Sequence, residues 1–484
     1  MVRSTETITA ALNDDVHVKL TVPGRTELVR GALTVRLKNL DPGTQAALRC
    51  IADGPATFTE LRKIAQAADA GAEAERLTLE LNRLAGRQMA HFSCIVDGEE
   101  LLRARATGPL ARFSFASLPE SGRVRLSRFA YVRRTGDSLT IVSPASHMTV
   151  EVLSPAIGEL LVRLAQPYAM TEEVGGAAAL GVVASEAVVA FLLRAGVLAV
   201  ADEAGKTEEE TSPALAQREF HDVAMHAATR KGLAGGPTGG TFRFVGQLPP
   251  TPAVRPLHDG PRMQLSRPDL EYITAHDPPL AQVMESRKSI RKYGTEPITV
   301  DQLAEFLFRV ARIKELHPVD ESAGHIYETT TRTSPSGGAA HDIELYPVVR
   351  QCAGLAPAIY HYDPSEHQLT LVCENENPVR RLLIEAYLAN GRRVVPQVLI
   401  VMAARFARLS WKYEGIAYGI TLKNTGVLYE AMYLAATAMG LAPCGIGGGE
   451  SAVFSEAIGV NPMIESSVGE FMLGTREEER RPDE

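Results

Sequence analysis

A short run at residues 286–293 (SRKSIRKY) concentrates positively charged and hydroxyl side chains. Because side chains alternate along an extended segment, Arg287, Ser289 and Arg291 fall on one face. Two planar guanidinium groups beside a hydroxyl are well matched to a phosphate monoester, which accepts several charge-assisted hydrogen bonds. Lys288 adds a positive charge to this candidate site. The alternative is a basic surface loop, and the run alone leaves both interpretations open.

A stretch of small residues at 333–339 (TSPSGGA) suits close approach of the backbone to a ligand. Without bulky side chains, its main-chain N–H groups can reach the heteroatoms of a flat ring. The stretch by itself also fits an ordinary turn. Its candidate binding residues are Ser334, Pro335, Ser336, Gly337 and Gly338.

A glycine-rich loop at residues 444–449 (CGIGGG) provides a second such stretch. It lacks the Gly-Lys-Ser/Thr of a Walker loop, and it lacks the strand and helix context of a dinucleotide-binding fingerprint. Its candidate binding residues are Gly445, Ile446, Gly447 and Gly448.

Regular elements must position these loops. Thr299 and Gln302 form a possible capping box for an amphipathic helix at residues 301–312. Residues 344–349 and 398–402 read as strands of one sheet. Residues 425–439 form a long helix that is apolar nearly all round, as expected at the centre of a domain or a dimer. The sequence therefore predicts an α+β C-terminal domain, with a mixed sheet and helices around a long central helix.

The first 200 residues contain a weak internal repeat. Residues 40–61 can be laid without gaps on residues 153–174. Asp41 and Ser154 are candidate N-caps, and each precedes a proline at the first helical position. Later in the two copies, Thr57 with Glu60 and then Ser185 are further candidate caps. Helices at residues 74–84 and 186–194 would follow, and strands at residues 32–37, 139–142, 149–153 and 197–200 complete the prediction.

Strands with three short helices outline a winged helix, although two unrelated helical hairpins would look alike. Neither copy has a basic, polar recognition helix, so binding of nucleic acid is disfavoured and a peptide- or protein-binding role fits better. Residues 205–279 are rich in Gly, Pro and Thr, with one helix-like piece at 214–230. We expect winged-helix-like modules at 1–115 and 116–204, a wrapping linker at 205–279 and an enzyme domain at 280–484.

Bulk composition limits the class of protein. At 484 residues the chain exceeds one ordinary domain of roughly 100–200 residues. A net charge of −8 gives no bulk reason to bind nucleic acid. The polar N-terminus lacks the pattern of a secretory signal, and no apolar stretch convincingly spans a bilayer, so we expect a cytoplasmic protein without a membrane anchor. The scattered cysteines offer neither a common zinc pattern nor a disulfide framework, and no metal site is expected.

The motifs occur in an order that resembles the FMN-dependent nitroreductase superfamily. These are the R-x-S-x-R run, the P-S-G-G-A loop, the long helix ending in M-G-L-A-P and the closing glycine-rich loop. Residues 332–339 (RTSPSGGA), 411–413 (WKY) and 467–474 (SVGEFMLG) are more narrowly similar to SagB/ThcOx/McbC-type azoline dehydrogenases. The resemblance covers residues 219–474, including the lead-in segment at 219–244.

That resemblance implies oxidation of peptide thiazolines or oxazolines to thiazoles or oxazoles, with FMN bound at a homodimer interface. Arg287, Ser289 and Arg291 would hold the FMN phosphate, and the two loops would contact its ring system and ribityl chain. Lys412 and Tyr413 match the catalytic Lys-Tyr pair of the family. A neighbouring ammonium would stabilise a tyrosine phenolate, which could then accept the proton from Cα. Adjacent residues of a strand point to opposite faces, so the pair needs a turn or helix to act together.

The implied partners are a precursor peptide that contains azolines and, less directly, a ring-forming cyclodehydratase. In place of a proline common among relatives, Asp342 follows His341, and these two residues either shape substrate choice or cap a strand end. Two other readings stay open. One is an NAD(P)H-dependent nitroreductase or quinone reductase for small molecules, and the other is a scaffold protein with a vestigial flavin site.

Overall fold

The computed structural model of the chain describes residues 7–115, 122–144, 146–169, 180–230, 237–320, 322 and 324–477. The chain divides into two compact units between Pro237 and Thr238. Each unit buries hydrophobic cores of its own. The predicted linker at 205–279 therefore contributes to both units.

The N-terminal unit contains thirteen strands and eight helices among its described residues. The strands are β1 (Ile8–Leu12), β2 (Val16–Val22), β3 (Arg25–Arg30), β4 (Leu33–Lys38), β5 (Ala56–Thr57), β6 (Ala90–Val96), β7 (Glu99–Ala106), β8 (Arg123–Leu126), β9 (Tyr131–Thr135), β10 (Ser138–Ser143), β11 (Met148–Val152), β12 (Tyr168–Ala169) and β13 (Leu198–Ala201). The helices are α1 (Pro42–Asp53), α2 (Phe58–Ala68), α3 (Ala74–Gly86), α4 (Ile157–Arg163), α5 (Gly181–Arg194), α6 (Glu208–Thr211), α7 (Pro213–Ala216) and α8 (Phe220–Thr229).

One antiparallel sheet runs through this unit in the order β5-β1-β6-β7-β11-β10-β9. The pairing of β7 with β11 carries the sheet across the predicted boundary between residues 115 and 116. Smaller sheets combine β2-β3-β4 and β12-β8-β13. The winged-helix assignment of the two modules stays a prediction.

Local capping signals were correct in the first repeat copy and wrong in the second. Asp41 caps α1, and Thr57 with Glu60 forms the capping box of α2. Ser154 is not an N-cap, because α4 starts only at Ile157 and its N-cap is Ala156. Ser185 lies inside α5, where its hydroxyl bonds the Gly181 carbonyl at 2.8 Å instead of capping a helix. Residues 170–174 of the repeat lie outside the described residues. The helix expected at 214–230 is interrupted between α7 and α8.

The C-terminal unit continues the element order. Its strands are β14 (Gly239–Gly240), β15 (Arg262–Gln264), β16 (Ile298–Thr299), β17 (Ile313–His317), β18 (Thr329–Arg332), β19 (Ile343–Val349), β20 (Cys352–Ala353), β21 (Ala358–Asp363), β22 (Gln368–Cys373), β23 (Val398–Arg405), β24 (Tyr413–Glu414), β25 (Leu441–Ile446) and β26 (Glu465–Thr475). Its helices are α9 (Leu270–His276), α10 (Leu280–Ser286), α11 (Val300–Ala311), α12 (Glu376–Ala389), α13 (Ala407–Ser410), α14 (Ala417–Ala438) and α15 (Ser451–Ala457).

The main sheet of this unit has the order β15-β22-β21-β19-β23-β26-β25. All of its described pairings are antiparallel, which corrects the expectation of a mixed sheet. A tight connection such as that between β21 and β22 allows only antiparallel pairing, since parallel neighbours need a long crossover. One parallel pair, β16 with β20, lies outside this sheet. The α+β class is confirmed.

Helices cover both faces of the main sheet. α11 and α14 contribute to the core on one face, and α12 and α15 contribute to the core on the other. The capping box of Thr299 and Gln302 is confirmed at the start of α11. The long apolar helix is confirmed as α14, although it starts at Ala417, eight residues before the predicted start. Among the described residues, no helix is long and apolar enough to cross a membrane.

Candidate active site

The R-x-S-x-R run leaves α10 as an extended segment beside β25. Arg287, Ser289 and Arg291 are half-buried, whereas Lys288 and Lys292 are exposed. The Ile290 N–H donates to the Pro443 carbonyl at 2.8 Å, which holds the segment against β25. The alternation predicted from sequence is therefore present, and Lys288 lies on the side facing solvent.

Tyr433 of α14 joins this run to the glycine-rich loop. Its hydroxyl lies 2.7 Å from the Ser289 hydroxyl and accepts from the Gly445 N–H at 2.8 Å. The Arg287 guanidinium lies 5.2 Å from the centre of the Tyr433 ring. Tyr433 belongs to none of the motifs predicted to bind the cofactor. The available signal was the pair of tyrosines, 429 and 433, spaced one turn apart on an apolar helix.

Tyr429 holds the other end of the glycine-rich loop. Its hydroxyl donates to the Ile446 carbonyl and accepts from the Glu470 N–H, both at 2.9 Å. Gly447 and Gly448 are exposed. The Glu470 carboxyl packs directly against Gly449, and burial raises the pKa of Glu470 to about 7. We refer to Arg287, Ser289, Arg291, Tyr433 and the loop at 445–449 as the cationic cluster.

The P-S-G-G-A loop forms a short 3₁₀ turn at Gly337–Ala339, in which Gly338 has a φ of +63°. Its position is set by α14, because Asn424 Oδ1 accepts from the Gly337 N–H at 3.0 Å. Asn424 in turn donates to Asp342 at 2.6 Å, and the Thr421 hydroxyl donates to the other oxygen of Asp342 at 2.8 Å. Asn424 and Thr421 were missed by the sequence analysis, although two polar residues one turn apart in an apolar helix were a usable signal.

Asp342 is completely buried, and this burial raises the pKa of its carboxyl. Its main-chain carbonyl also accepts from the Arg405 N–H at the edge of the sheet. These bonds favour the structural interpretation of Asp342 over a role in substrate choice. His341 lines a cavity together with Arg332, Ser334 and Leu428, and burial lowers the pKa of His341 to about 4.

Lys412 and Tyr413 converge on Gly338. A Cβ atom placed on Gly338 would lie 2.4 Å from Tyr413 Oη and 2.7 Å from Lys412 Nζ. The bend between α13 and β24 removes the difficulty that neighbouring strand residues point apart. Burial opposes the charge on Lys412, but a hydrogen bond to Tyr327 and the nearby phenol oxygens raise its pKa overall. We refer to Lys412, Tyr413, Tyr327 and Gly338 as the lysine–tyrosine cluster.

Tyr327 is a member of this cluster that belongs to none of the sequence motifs. Its hydroxyl accepts from Lys412 Nζ at 2.6 Å and donates to the Gly338 carbonyl at 3.0 Å. No sequence signal distinguished this tyrosine, since it stands alone in an irregular segment.

The two clusters are held by one helix but do not meet within one chain. Asn424 and Tyr433 are nine positions apart on α14, a rise of about 14 Å. Among the described residues, no hydrogen bond, ion pair or ring contact connects the P-S-G-G-A loop with the R-x-S-x-R run or with the glycine-rich loop.

Two family profiles match this chain. The "Nitroreductase family" profile matches residues 284–475, which include both clusters. The "Cyanobactin oxidase ThcOx" profile matches residues 124–234. Residues 284–475 therefore form a nitroreductase-family domain, and the chain is an oxidoreductase. The ThcOx profile in the N-terminal unit agrees with the predicted resemblance to SagB/ThcOx/McbC-type enzymes.

Two relatives of this chain each share less than 30% identity with it. A Methanocaldococcus jannaschii protein named "Putative nitroreductase MJ1384" is 26% identical over 188 residues, which cover 39% of this chain and 85% of that protein. The trifolitoxin-processing protein TfxB of Rhizobium leguminosarum bv. trifolii is 28% identical over 154 residues, covering 31% of this chain and 41% of TfxB. A solved nitroreductase-type structure from Ralstonia eutropha shares 21% identity with a TM-score of 0.36, covering 48% of this chain and all of that one.

Proposed function

We propose that this protein uses FMN to oxidise thiazoline or oxazoline rings of a precursor peptide to the aromatic azoles. The observation that carries the proposal is the convergence of Lys412 Nζ and Tyr413 Oη on Gly338, inside the loop expected to contact a flat ring. A small-molecule reductase that takes electrons from NAD(P)H has no evident need for this pair. The ThcOx-like segment at residues 124–234 also supports the azoline reaction.

The donor set of the cationic cluster fits a phosphate monoester. Arg287, Ser289 and Arg291 share one half-buried face, and the adjacent loop at 447–448 carries no side chain beyond Cα. Guanidinium groups and main-chain N–H groups are suitable partners for phosphate oxygens. Nitroreductase-family proteins bind flavin, and these residues would hold its phosphate if the flavin is FMN.

The chain's own residues would handle the proton of the reaction. Aromatising an azoline removes a proton from Cα and a hydride from the neighbouring carbon, and bound FMN would accept the hydride with its two electrons. Tyr413 would accept the Cα proton on its phenol oxygen, and the Lys412 ammonium would stabilise the phenolate beforehand. Dioxygen would then re-oxidise the flavin.

A homodimer would bring the two kinds of cluster together. α14 is apolar nearly all round, yet only six of its 22 residues are buried in one chain. On this helix Tyr418 is 48% exposed and Leu422 is 42% exposed, and on α10 Leu280 is 64% exposed. Burial of such a surface against a second copy is favourable. The lysine–tyrosine cluster of one copy would then face the cationic cluster of its partner.

The proposed partner in solution is an azoline-containing precursor peptide, with a ring-forming cyclodehydratase as a second partner. TfxB, a relative over 154 residues, is named as a protein that processes trifolitoxin. We propose that the N-terminal unit binds the peptide or the partner enzyme, and that neither nucleic acid nor a membrane is involved.

The test is an absorbance spectrum of the purified protein, followed by addition of an azoline peptide without oxygen. Flavin bands that bleach with the peptide alone support azoline oxidation. Bleaching only with NAD(P)H would favour the small-molecule reductase. Absence of flavin after reconstitution with FMN would contradict the cofactor assignment and favour a vestigial site.

The variant Tyr413→Phe separates chemistry from cofactor binding. It should retain the flavin bands and lose turnover by about 10²–10⁴-fold, the usual contribution of a general base. Tyr272→Phe, which changes an exposed tyrosine of α9, is the control and should react as the wild type does. Unchanged azoline oxidation by Tyr413→Phe would exclude Tyr413 as the base.

A further inference from the structure

Lys412 lies among aromatic rings from separate parts of the C-terminal unit. Its ammonium nitrogen is 4.9 Å from the ring centre of Tyr327, 5.1 Å from that of Tyr413 and 5.4 Å from that of Phe242. Phe242 belongs to the lead-in segment, whose main chain bonds Lys412 directly: the Phe242 N–H donates to the Lys412 carbonyl at 3.1 Å. Because ring faces attract a cation, these three rings stabilise the charged form of Lys412 and hold its ammonium group in this position.

The two phenols beside Lys412 have different hydrogen-bonding states. The Tyr327 hydroxyl donates its one proton to the Gly338 carbonyl and accepts from Lys412. Loss of that proton would place a phenolate against a carbonyl oxygen, which is repulsive. Tyr413 Oη also lies beside Lys412, but among the described residues no carbonyl or carboxylate accepts its proton.

We propose that Tyr327 is a positioning residue that fixes the Lys412 ammonium against the P-S-G-G-A loop and leaves Tyr413 as the phenol that exchanges a proton. The inference rests on the proposed azoline oxidation for its catalytic consequence. The donation from Tyr327 to Gly338 polarises its oxygen and makes it a stronger acceptor for Lys412. Lys412 keeps its proton throughout, and the Cα proton passes to Tyr413.

The other charged groups near this cluster form hydrogen bonds or ion pairs with partners of their own. Arg408 lies behind Tyr327 and donates to the carbonyls of Glu328 and Ala340. Glu414, next to Tyr413 in the chain, accepts from Thr241 and pairs with Arg243. Tyr327 and Tyr413 are therefore the groups that decide the charge state of Lys412, and their oxygens raise the pKa of Lys412 in spite of its burial.

The first experiment measures the protonation of Lys412 in the flavin-loaded full chain without substrate. Its reactivity towards an amine-acylating reagent is followed between pH 8 and 12 by mass spectrometry of the peptide that carries it. In Tyr327→Phe the reactive, neutral form should appear at lower pH, and a shift of about one pH unit would raise labelling at a fixed lower pH about tenfold. The matched control is Tyr360→Phe, which also removes a hydroxyl that donates to a carbonyl, that of Ala356.

The second experiment identifies the base and does not depend on how well Tyr327→Phe folds. 3-Fluorotyrosine, whose phenol is more acidic, is placed at position 327 or at position 413. At 413 it should move the acidic limb of the pH profile of azoline oxidation to lower pH, and at 327 it should leave that limb in place. Movement of the limb by the label at 327 would overturn the inference, because Tyr327 would then be the group that titrates.

The outcomes separate this inference from the proposed function. A wild-type protein that does not oxidise azolines contradicts the function, yet the labelling of Lys412 still tests the contact with Tyr327. Azoline oxidation by the wild type, together with unchanged labelling and unchanged kcat in Tyr327→Phe, contradicts the inference alone.

Discussion

The hydroxyls of Ser289 and Tyr433 lie 2.7 Å apart and connect the R-x-S-x-R run to α14. The same Tyr433 oxygen accepts from the Gly445 N–H at 2.8 Å. One phenol therefore sets the separation between a cationic segment near residue 290 and a loop more than 150 positions later in the chain. The ring also lies beside the Arg287 guanidinium, so Tyr433 contacts three donor groups of the cationic cluster: Arg287, Ser289 and the Gly445 N–H.

The variant Tyr433→Phe should weaken flavin binding without abolishing it. It removes one hydroxyl that serves Ser289 and Gly445, and a hydrogen bond contributes about 1 kcal/mol, or about five- to tenfold in Kd. Flavin affinity can be measured by titrating the apoprotein with FMN and following fluorescence quenching. Tyr272→Phe changes an exposed tyrosine of α9 and should alter Kd less than twofold. Equal affinities of both variants would contradict the role of Tyr433.

Arg287→Ala should have a larger effect on the same titration. It removes a guanidinium expected to donate to the phosphate, and hydrogen bonds between charged groups contribute about 1.5–3 kcal/mol, which corresponds to about 10–150-fold in Kd. Lys292→Ala removes a positive charge that is 82% exposed on the same segment, so it controls for general electrostatics. Full flavin occupancy in Arg287→Ala would exclude this arginine from the phosphate site.

Gly338→Ala tests the close approach of the Lys-Tyr pair to the loop. The added methyl group would lie within 2.7 Å of both Lys412 Nζ and Tyr413 Oη, so the pair must move and turnover should fall at least tenfold. Gly391→Ala is matched in backbone strain, because Gly391 has a φ of +78°, but open space surrounds its Cβ position. The two variants should lose similar stability, and only Gly338→Ala should lose azoline-driven reduction of the flavin. Normal turnover in Gly338→Ala would show that the geometry at this loop does not limit the reaction.

The raised pKa of Glu470 predicts how the stability of the protein depends on pH. Burial raises its pKa to about 7 from the ordinary value of 4.5, so its contribution to stability is fully present below the lower value and is lost as pH rises through the higher one. Glu470→Gln, which cannot ionise, should therefore be more stable relative to wild type at pH 8 than at pH 5, by about 2.5 kcal/mol. Chemical unfolding of both proteins at the two pH values measures this difference. Glu456→Gln, at an exposed carboxyl of α15, is the control, and a pH-independent difference for Glu470→Gln would contradict the assignment.

Much of the local structure could be predicted because its causes are local in the chain. Asp41, Thr57 and Thr299 cap helices through hydrogen bonds to residues three positions later in the chain. Such spacing can be recognised from sequence alone. The alternation of Arg287, Ser289 and Arg291 follows from the period of an extended segment. The signals failed at Ser154 and Ser185, where the same residue types serve in a turn and within a helix.

The sequence by itself determined the α+β class, the cationic run, the two small-residue loops and the Lys-Tyr pair. Only the tertiary structure decided which of these meet and through which intermediaries. Lys412 finds Tyr327 at a separation of 85 positions, and Ser289 finds Tyr433 at a separation of 144. Such pairs depend on the packing of α13 and α14 against the sheet. No local sequence pattern identifies the hydrogen-bond partner of a tyrosine in a loop. Such a bond depends on the positions of the two groups in space and not on their spacing in the chain.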